Sequence, residues 1–287
     1  MLKPTYLLAT DLSGPSRKAA EVAARLAART HAALDFFCAV PAAVVDEFGV
    51  DLGRARAAVA ALAARHTEPA RKAAAHVAVV RDVPAAILRH AQRTGATLLV
   101  VAPHGATGWK KVLLGSVTQK VLRHATCSVL VARTAGSGTL KRVLVGVDGS
   151  PAARPTLRHA IALARALRAE LTVIHVVPPV ELLVPFVAPA GRALAVGDKR
   201  LLAKTREVER WVASFPYRGV EVRVRVIEGS PAETLAGEAR RRRAAMIVVG
   251  ATGKSGLRRA LLGSVAHAVA STSPVSVLVV REARRED

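Results

Sequence analysis

The chain has 287 residues, 51% of them hydrophobic and only 3% aromatic, and its 43 lysines and arginines against 21 acidic residues leave a net charge of +22. The length exceeds the usual single domain of about 100 to 200 residues, which points to two domains, each able to bury a core. Apolar runs such as TLLVVA fall well short of the roughly 18 residues that span a bilayer, and the opening MLKPTYLLATDLS is unlike a secretion signal, so no membrane span and a cytoplasmic location are expected.

Two cysteines, Cys38 and Cys127, exclude a disulfide framework. The nine histidines show neither HxH nor HExxH spacing, and His124 with Cys127 is a two-ligand coincidence where zinc takes four, so no metal site is expected. The cationic excess is shared about evenly between the halves, which raises the question of a polyanionic partner. Its densest run, Arg240 to Arg243, falls late in the expected helix SPAETLAGEARRRRAA, where cations suit the negative end of the helix dipole. Stacking platforms for single strands are scarce at this aromatic content, so a nucleic acid stays an alternative partner.

The chain reads twice through one pattern. An offset of 137 carries Asp11 onto Asp148, Ser13 onto Ser150 and LDFFCAVP onto LTVIHVVP, and later an offset of 148 carries Gly105 onto Gly253 and Arg133 onto Arg281. The expected division is a first domain at 1–134, a linker at 135–140 within the flexible TAGSGT composition, and a second domain at 141–287. In the second copy RVLVGVD is a continuous apolar run, as a central parallel strand should be. Ser150 and Pro151 then offer a helix cap and a first-turn proline, with Leu157, Ile161, Ala164 and Leu167 on one stripe of the helix that follows. LTVIHVV is the second strand. About ten extra residues enter after Pro178, and the prolines and glycine of 178–192 predict an ordered loop or flap. An amphipathic helix around Leu201 to Val212 precedes VEVRVRVI, whose two-residue alternation marks a third strand at a sheet edge. A helix from Pro231, the strand AMIVVG, a helix from Ser264 and the strand SVLVVR complete the copy. Strand and helix alternation predicts an α/β fold of two tandem open parallel five-stranded sheets, each ordered 3-2-1-4-5 with helices on both faces.

In such a sheet ligands settle outside the carboxyl ends of strands 1 and 4, where the order reverses. Asp148 ends strand 1 and Gly250 ends strand 4. A carboxylate suited to sugar hydroxyls thus faces a glycine loop whose main-chain N–H groups can approach phosphates. Gly263 and Ser264 then open a helix whose unpaired N–H groups favour an anion, and Lys254, Arg258 and Arg259 flank the loop. These residues describe a mononucleotide site, although neither a Walker loop nor GxGxxG is present. The bland alternative is that glycines make turns and Asp148 caps a helix.

Gly250, Gly253, Gly263 and Ser264 follow a spacing of glycine, two residues, glycine, nine residues, then glycine and serine. In this, and in RVLVGVDGS and SPVSVLVVR, the chain resembles the universal stress protein family, twice and over nearly its whole length. The resemblance implies a Rossmann-like fold of the adenine nucleotide alpha hydrolase type. It further implies that Asp148 contacts ribose, that the backbone near Val176 reads adenine, and that Gly253, Gly263, Ser264 and Val265 hold phosphates. The equivalent first-copy residues are Asp11, Ala39, Gly105, Gly115, Ser116 and Val117. Ala102 stands there in place of the first glycine, so strain or a lost contact is expected if that position needs positive φ or close approach. Pro103 removes one amide donor from the same loop.

The leading expectation is a stress-response regulator that binds ATP, ADP or AMP, with Mg²⁺ held mainly by the nucleotide, and whose nucleotide state modulates partner contacts. No evident carboxylate stands near the phosphates to orient an attacking water, so efficient catalysis is not expected. The alternatives are a slow ATP hydrolase or adenylyl-type enzyme, and a basic nucleic-acid-binding protein. The resemblance also implies that SVLVAR and SVLVVR, the fifth strands, pair within the chain as a pseudo-dimer, with a homodimer of whole chains as a further option.

Overall fold

The computed structural model describes residues 4–67, 73–105, 114–133, 139–179, 190–252 and 262–282, with 190–198 as backbone only. The first half runs β1 (Thr5–Ala9), α1 (Gly14–Thr30), β2 (Ala33–Pro41), α2 (Ala42–Phe48), α3 (Leu52–His66), β3 (Ala75–Val80), α4 (Val83–Arg93), β4 (Leu98–Val101), α5 (Ser116–His124) and β5 (Ser128–Val131). The second runs β6 (Arg142–Gly146), a 3₁₀ turn (Pro151–Ala153), α6 (Arg154–Leu167), β7 (Glu170–Val177), α7 (Ala190–Ala213), β8 (Val222–Glu228), α8 (Pro231–Arg241), β9 (Met246–Gly250), α9 (Ser264–Thr272) and β10 (Ser276–Val280). Residues 134–138 of the linker region and 180–189 of the insertion lie outside the described residues. Ala190 to Arg192, read as loop from the sequence, begin α7.

Within each half the strands pair in parallel and in the order 3-2-1-4-5. The expectation of two separate sheets is corrected, because β5 and β10 join them into one ten-stranded sheet, β3-β2-β1-β4-β5-β10-β9-β6-β7-β8. Those two strands pair antiparallel, Val131 opposite Val277, Leu130 opposite Leu278 and Val129 opposite Val279. Beyond a leading serine, Ser128 or Ser276, each is apolar and would otherwise present an unpaired edge, and pairing satisfies both rows of N–H and C=O groups at once. The outer strands β3 and β8 remain as the sheet's ends. On β8 the exposed Arg223 and Arg225 alternate with half-buried valines, the period of a strand covered on one face.

Helices cover both faces, and each core runs through both halves. One gathers Leu26, Val59, Leu157 and Val208 against Leu8 and Val145; the other gathers Ile87, Leu122, Leu235 and Val269 against Leu7 and Ile247. Two arginines just past the seam cross from half to half. The Arg133 guanidinium donates to Ala270 O at 2.6 Å, near the end of α9, and that of Arg281 donates to Leu122 O at 2.7 Å, near the end of α5. Helix C-terminal carbonyls lack partners of their own, so each arginine satisfies groups that burial would otherwise leave open. Burial holds Arg133 down at about 10. On the opposite face Arg29 of α1 donates to Leu167 O of α6 at 2.7 Å.

Candidate functional site

Both aspartates sit just beyond a first strand and accept from the serine two residues on. Ser13 N–H and Oγ–H donate to Asp11 Oδ1 at 3.0 and 2.5 Å, and Ser150 N–H and Oγ–H donate to Asp148 Oδ1 at 3.0 and 2.6 Å. The residue between has positive φ in both copies, 60° at Leu12 and 72° at Gly149. Glycine adopts this freely; leucine does so at a cost, offset here by Leu12 N–H donating to Thr10 Oγ1 at 3.0 Å. The local turn role therefore exists, and it fixes one carboxylate oxygen while orienting the other. In the first half that other oxygen faces the loop after β4: a Cβ placed on Gly105 would lie 2.5 Å from Asp11 Oδ2. Ser150 makes no side-chain cap, and the 3₁₀ turn at Pro151–Ala153 intervenes before α6, whereas Ser13 Oγ does cap α1.

The glycine side depends on close packing. A Cβ on Gly250 would lie 2.7 Å from Thr156 Oγ1 of α6 and 3.2 Å from Thr252 O, and its φ is not in the left-handed region. The 137-residue offset carries Ala19 onto Thr156, so the first half pairs Ala102 with alanine where the second pairs Gly250 with threonine. Ala102 is buried with no positive φ, and the anticipated strain there is corrected: its aligned partner Ala19 has no hydroxyl where Thr156 presents Oγ1 to position 250.

Gly115 N–H donates to Pro103 O at 2.8 Å and Gly263 N–H to Ala251 O at 2.7 Å, which ties the start of α5 and of α9 to the main chain just past β4 and β9. Gly263 thus spends its own amide inside the chain. Neither helix has a side-chain cap, leaving the amides that begin at Ser116 and Ser264 for an anion. Ser116, Ser264 and Val265 are exposed and Val117 is half-buried. Gly253, Lys254, Arg258 and Arg259 lie outside the described residues. His104 is half-buried, its Nδ1 3.5 Å from Gly105 O.

Ala39 on β2 and Val176 on β7 are half-buried. The β6–β7 ladder closes with Val147 N–H on Ile174 O, so the Val176 main chain lies past the last bond toward β6. Beneath it is a residue that sequence reasoning missed: His175 is 2% exposed, with Nδ1 2.9 Å from Val147 O. The repeat held the signal, since Cys38 occupies the same place in the first copy. There burial, with the Asp11 charge adding to it, pushes the Cys38 thiol up to about 11. Thr156 was likewise missed, because its value shows only against Gly250.

The arginine run is partly consumed locally. Glu238 pairs with Arg241 at 2.7 Å and Arg242 at 2.9 Å. Burial pushes that carboxyl up, but hydrogen bonds from the two arginines outweigh it and hold Glu238 below the ordinary range. Among the described residues no three His, Cys, Asp or Glu side chains gather to hold a metal, and no helix is long and apolar enough to cross a membrane.

Fold and site together define a doubly wound α/β protein whose strand order reverses once in each half. The chain belongs to the universal stress protein family, whose model matches residues 5–133 and again 139–281. Universal stress protein MJ0531 of Methanocaldococcus jannaschii is 33% identical over 153 residues, 53% of this chain and 88% of its own. Universal stress protein Rv2623 of Mycobacterium tuberculosis is 34% identical over 195 residues, and the match spans 65% of this chain but 62% of that relative. Among solved structures, protein PA1789 of Pseudomonas aeruginosa superposes with a TM-score of 0.71 at 23% identity, covering 98% of this chain and 93% of that one. A universal stress protein from Archaeoglobus fulgidus gives 0.64 at 22% identity, with 97% and 96% covered. These two likenesses concern the fold.

Proposed function

We propose that the chain binds an adenine nucleotide, ATP or its products ADP and AMP, in the second-half crevice, and that the loaded state alters contacts with partners in a stress response. The observation that carries this reading is the 2.7 Å bond from Gly263 N–H to Ala251 O, which sets the uncapped start of α9 at the end of β9, the strand beside β6 and its Asp148. Asp148 takes the ribose hydroxyls, the Val176 main chain the adenine edge, and the α9 amides with Ser264 the phosphates. Gly250 lets the end of β9 pack on α6, and Gly253, Lys254 and Val265 are assigned to the phosphate wall. Any Mg²⁺ is held by the nucleotide. The first-half set of Asp11, Ala39, Gly105, Gly115, Ser116 and Val117 is the weaker site, with Asp11 Oδ2 against Gly105 and no amide donor at Pro103. The domain division at 135–140 belongs to this reading, each half carrying one crevice. Membership of the stress protein family supports the regulatory role.

Mass spectrometry of nucleotide released from the protein as purified tests this. Adenine nucleotide should be present in the wild type and largely lost in Asp148→Ala and Gly253→Val. Unchanged content in both variants would remove the site from the second half. Turnover of ATP at the roughly 1 to 10³ per second typical of enzymes would replace the regulator with a catalyst.

A further inference from the structure

We infer that the cavity between α5 and α9 is a condensed-phosphate site shared by the two halves, in which Arg123 of the first half binds an anion seated beside the second. The cavity measures 310 Å³ and is lined by Gln119 and Arg123 from α5 and by Leu262, Ser264 and His267 at the start of α9. That volume lies at the lower end of the roughly 300 to 1,000 Å³ of small-molecule sites. Gln119 and Arg123 are one helical turn apart, as are Ser264 and His267, so both helices line the same space; the Gln119 amide already donates to Leu114 O at 2.8 Å, which leaves Arg123, among the described residues, as the lining group of α5 free for an anion. No acidic residue lines it, and Arg123 has no carboxylate partner among the described residues.

The seam explains why these groups meet. Antiparallel pairing of β5 and β10 lays the end of α5 beside the start of α9, and Arg281 locks that placement by donating to Leu122 O at 2.7 Å and Arg123 O at 3.2 Å. The same guanidinium offsets the negative end of α5, which would otherwise repel an anion at this spot. The pseudo-twofold equivalent of Arg123 is not a cation. The 148-residue offset carries Arg123 onto Ser271, whose hydroxyl is already donated to His267 O at 2.8 Å. The arginine is therefore particular to the groove beside the start of α9. The inference rests on the proposed nucleotide site insofar as the anion is the nucleotide's own terminal phosphate; free polyphosphate presents the same chemistry.

Titration calorimetry on the full chain, wild type and Arg123→Gln, with ATP, AMP and inorganic tripolyphosphate, tests it. Arg123 is exposed on α5, so the variant keeps the fold, and retained AMP binding checks this. The expected result is an ATP affinity about tenfold or more weaker, the scale of one charge-assisted hydrogen bond, with tripolyphosphate weakened alongside and AMP within about twofold. Equal effects on ATP and AMP, or none on either, would overturn the inference and leave the nucleotide site standing. Tripolyphosphate binding that depends on Arg123, without any adenine nucleotide binding, would sink the nucleotide reading and leave the inference. A wild type that binds none of the three would end both.

Discussion

Gly250 and Thr156 meet where the end of β9 backs onto α6, and the repeat sets two alanines, Ala102 and Ala19, at the equivalent positions. A Cβ at 250 would sit 2.7 Å from Thr156 Oγ1, so Gly250→Ala should cost about 1 to 3 kcal/mol by overpacking. Thr156→Ala in the same chain should recover most of it, because the pair then repeats Ala102 and Ala19. Urea denaturation of the four members of the cycle measures the coupling, and additive costs would refute the exchange. Cys38 offers a second residue-scale expectation. Its folded thiol holds its proton to about 11, while the unfolded thiol releases it near 9.0. Stability from this group is therefore complete below pH 9 and falls as pH rises toward 11, since only the unfolded state has lost the proton there. Denaturation midpoints of wild type and Cys38→Ala should diverge across that window and run in parallel below it.

At the scale of elements, helix ends do the joining. α5 and α9 begin without side-chain caps at the crevices and end on arginines from the opposite half, so both termini of each helix serve something outside it. Arg133→Met should strip the partner from Ala270 O and lower stability by about 1 to 3 kcal/mol, the cost of leaving a buried acceptor open. Arg281→Met should do the same at Leu122 O. The two bonds lie on either side of the seam, so the double variant should lose close to the sum, read by guanidinium denaturation. A change under about 0.5 kcal/mol in both would show that water replaces the guanidinium without loss.

Across the whole molecule, the seam makes one cooperative unit out of two repeats. Leu130 and Leu278 face each other in the antiparallel pair, and both cores draw residues from both halves. Calorimetry should therefore give one transition for the wild type. Leu130→Lys places an unpaired charge in that seam and should cost at least about 3 kcal/mol, splitting the transition into two as the halves uncouple. A single shifted transition would mean that the α1–α6 contact is enough to hold the halves together.

Strand order, the repeat, the edge strand β8 and the positions of Asp148 and Gly250 were legible in the residues, because alternation, apolar runs and a constant offset are local or periodic signals. The role of Ala102 was not, since its acceptability depends on Ala19, more than eighty residues away and in a different element. His175 and Thr156 escaped for the same reason: one polar group in an apolar strand or helix looks ordinary until its partner across the layer is known. Sequence by itself determined the α/β class, two copies of one plan and a reversal of strand order in each. Only the tertiary structure decided the register in which the two fifth strands meet, that Gly263 spends its amide on Ala251, and that Arg123 and Ser264 line one cavity. Those outcomes follow from how strand edges and helix ends find partners across the seam, and pairing at a distance leaves no periodic mark in the chain.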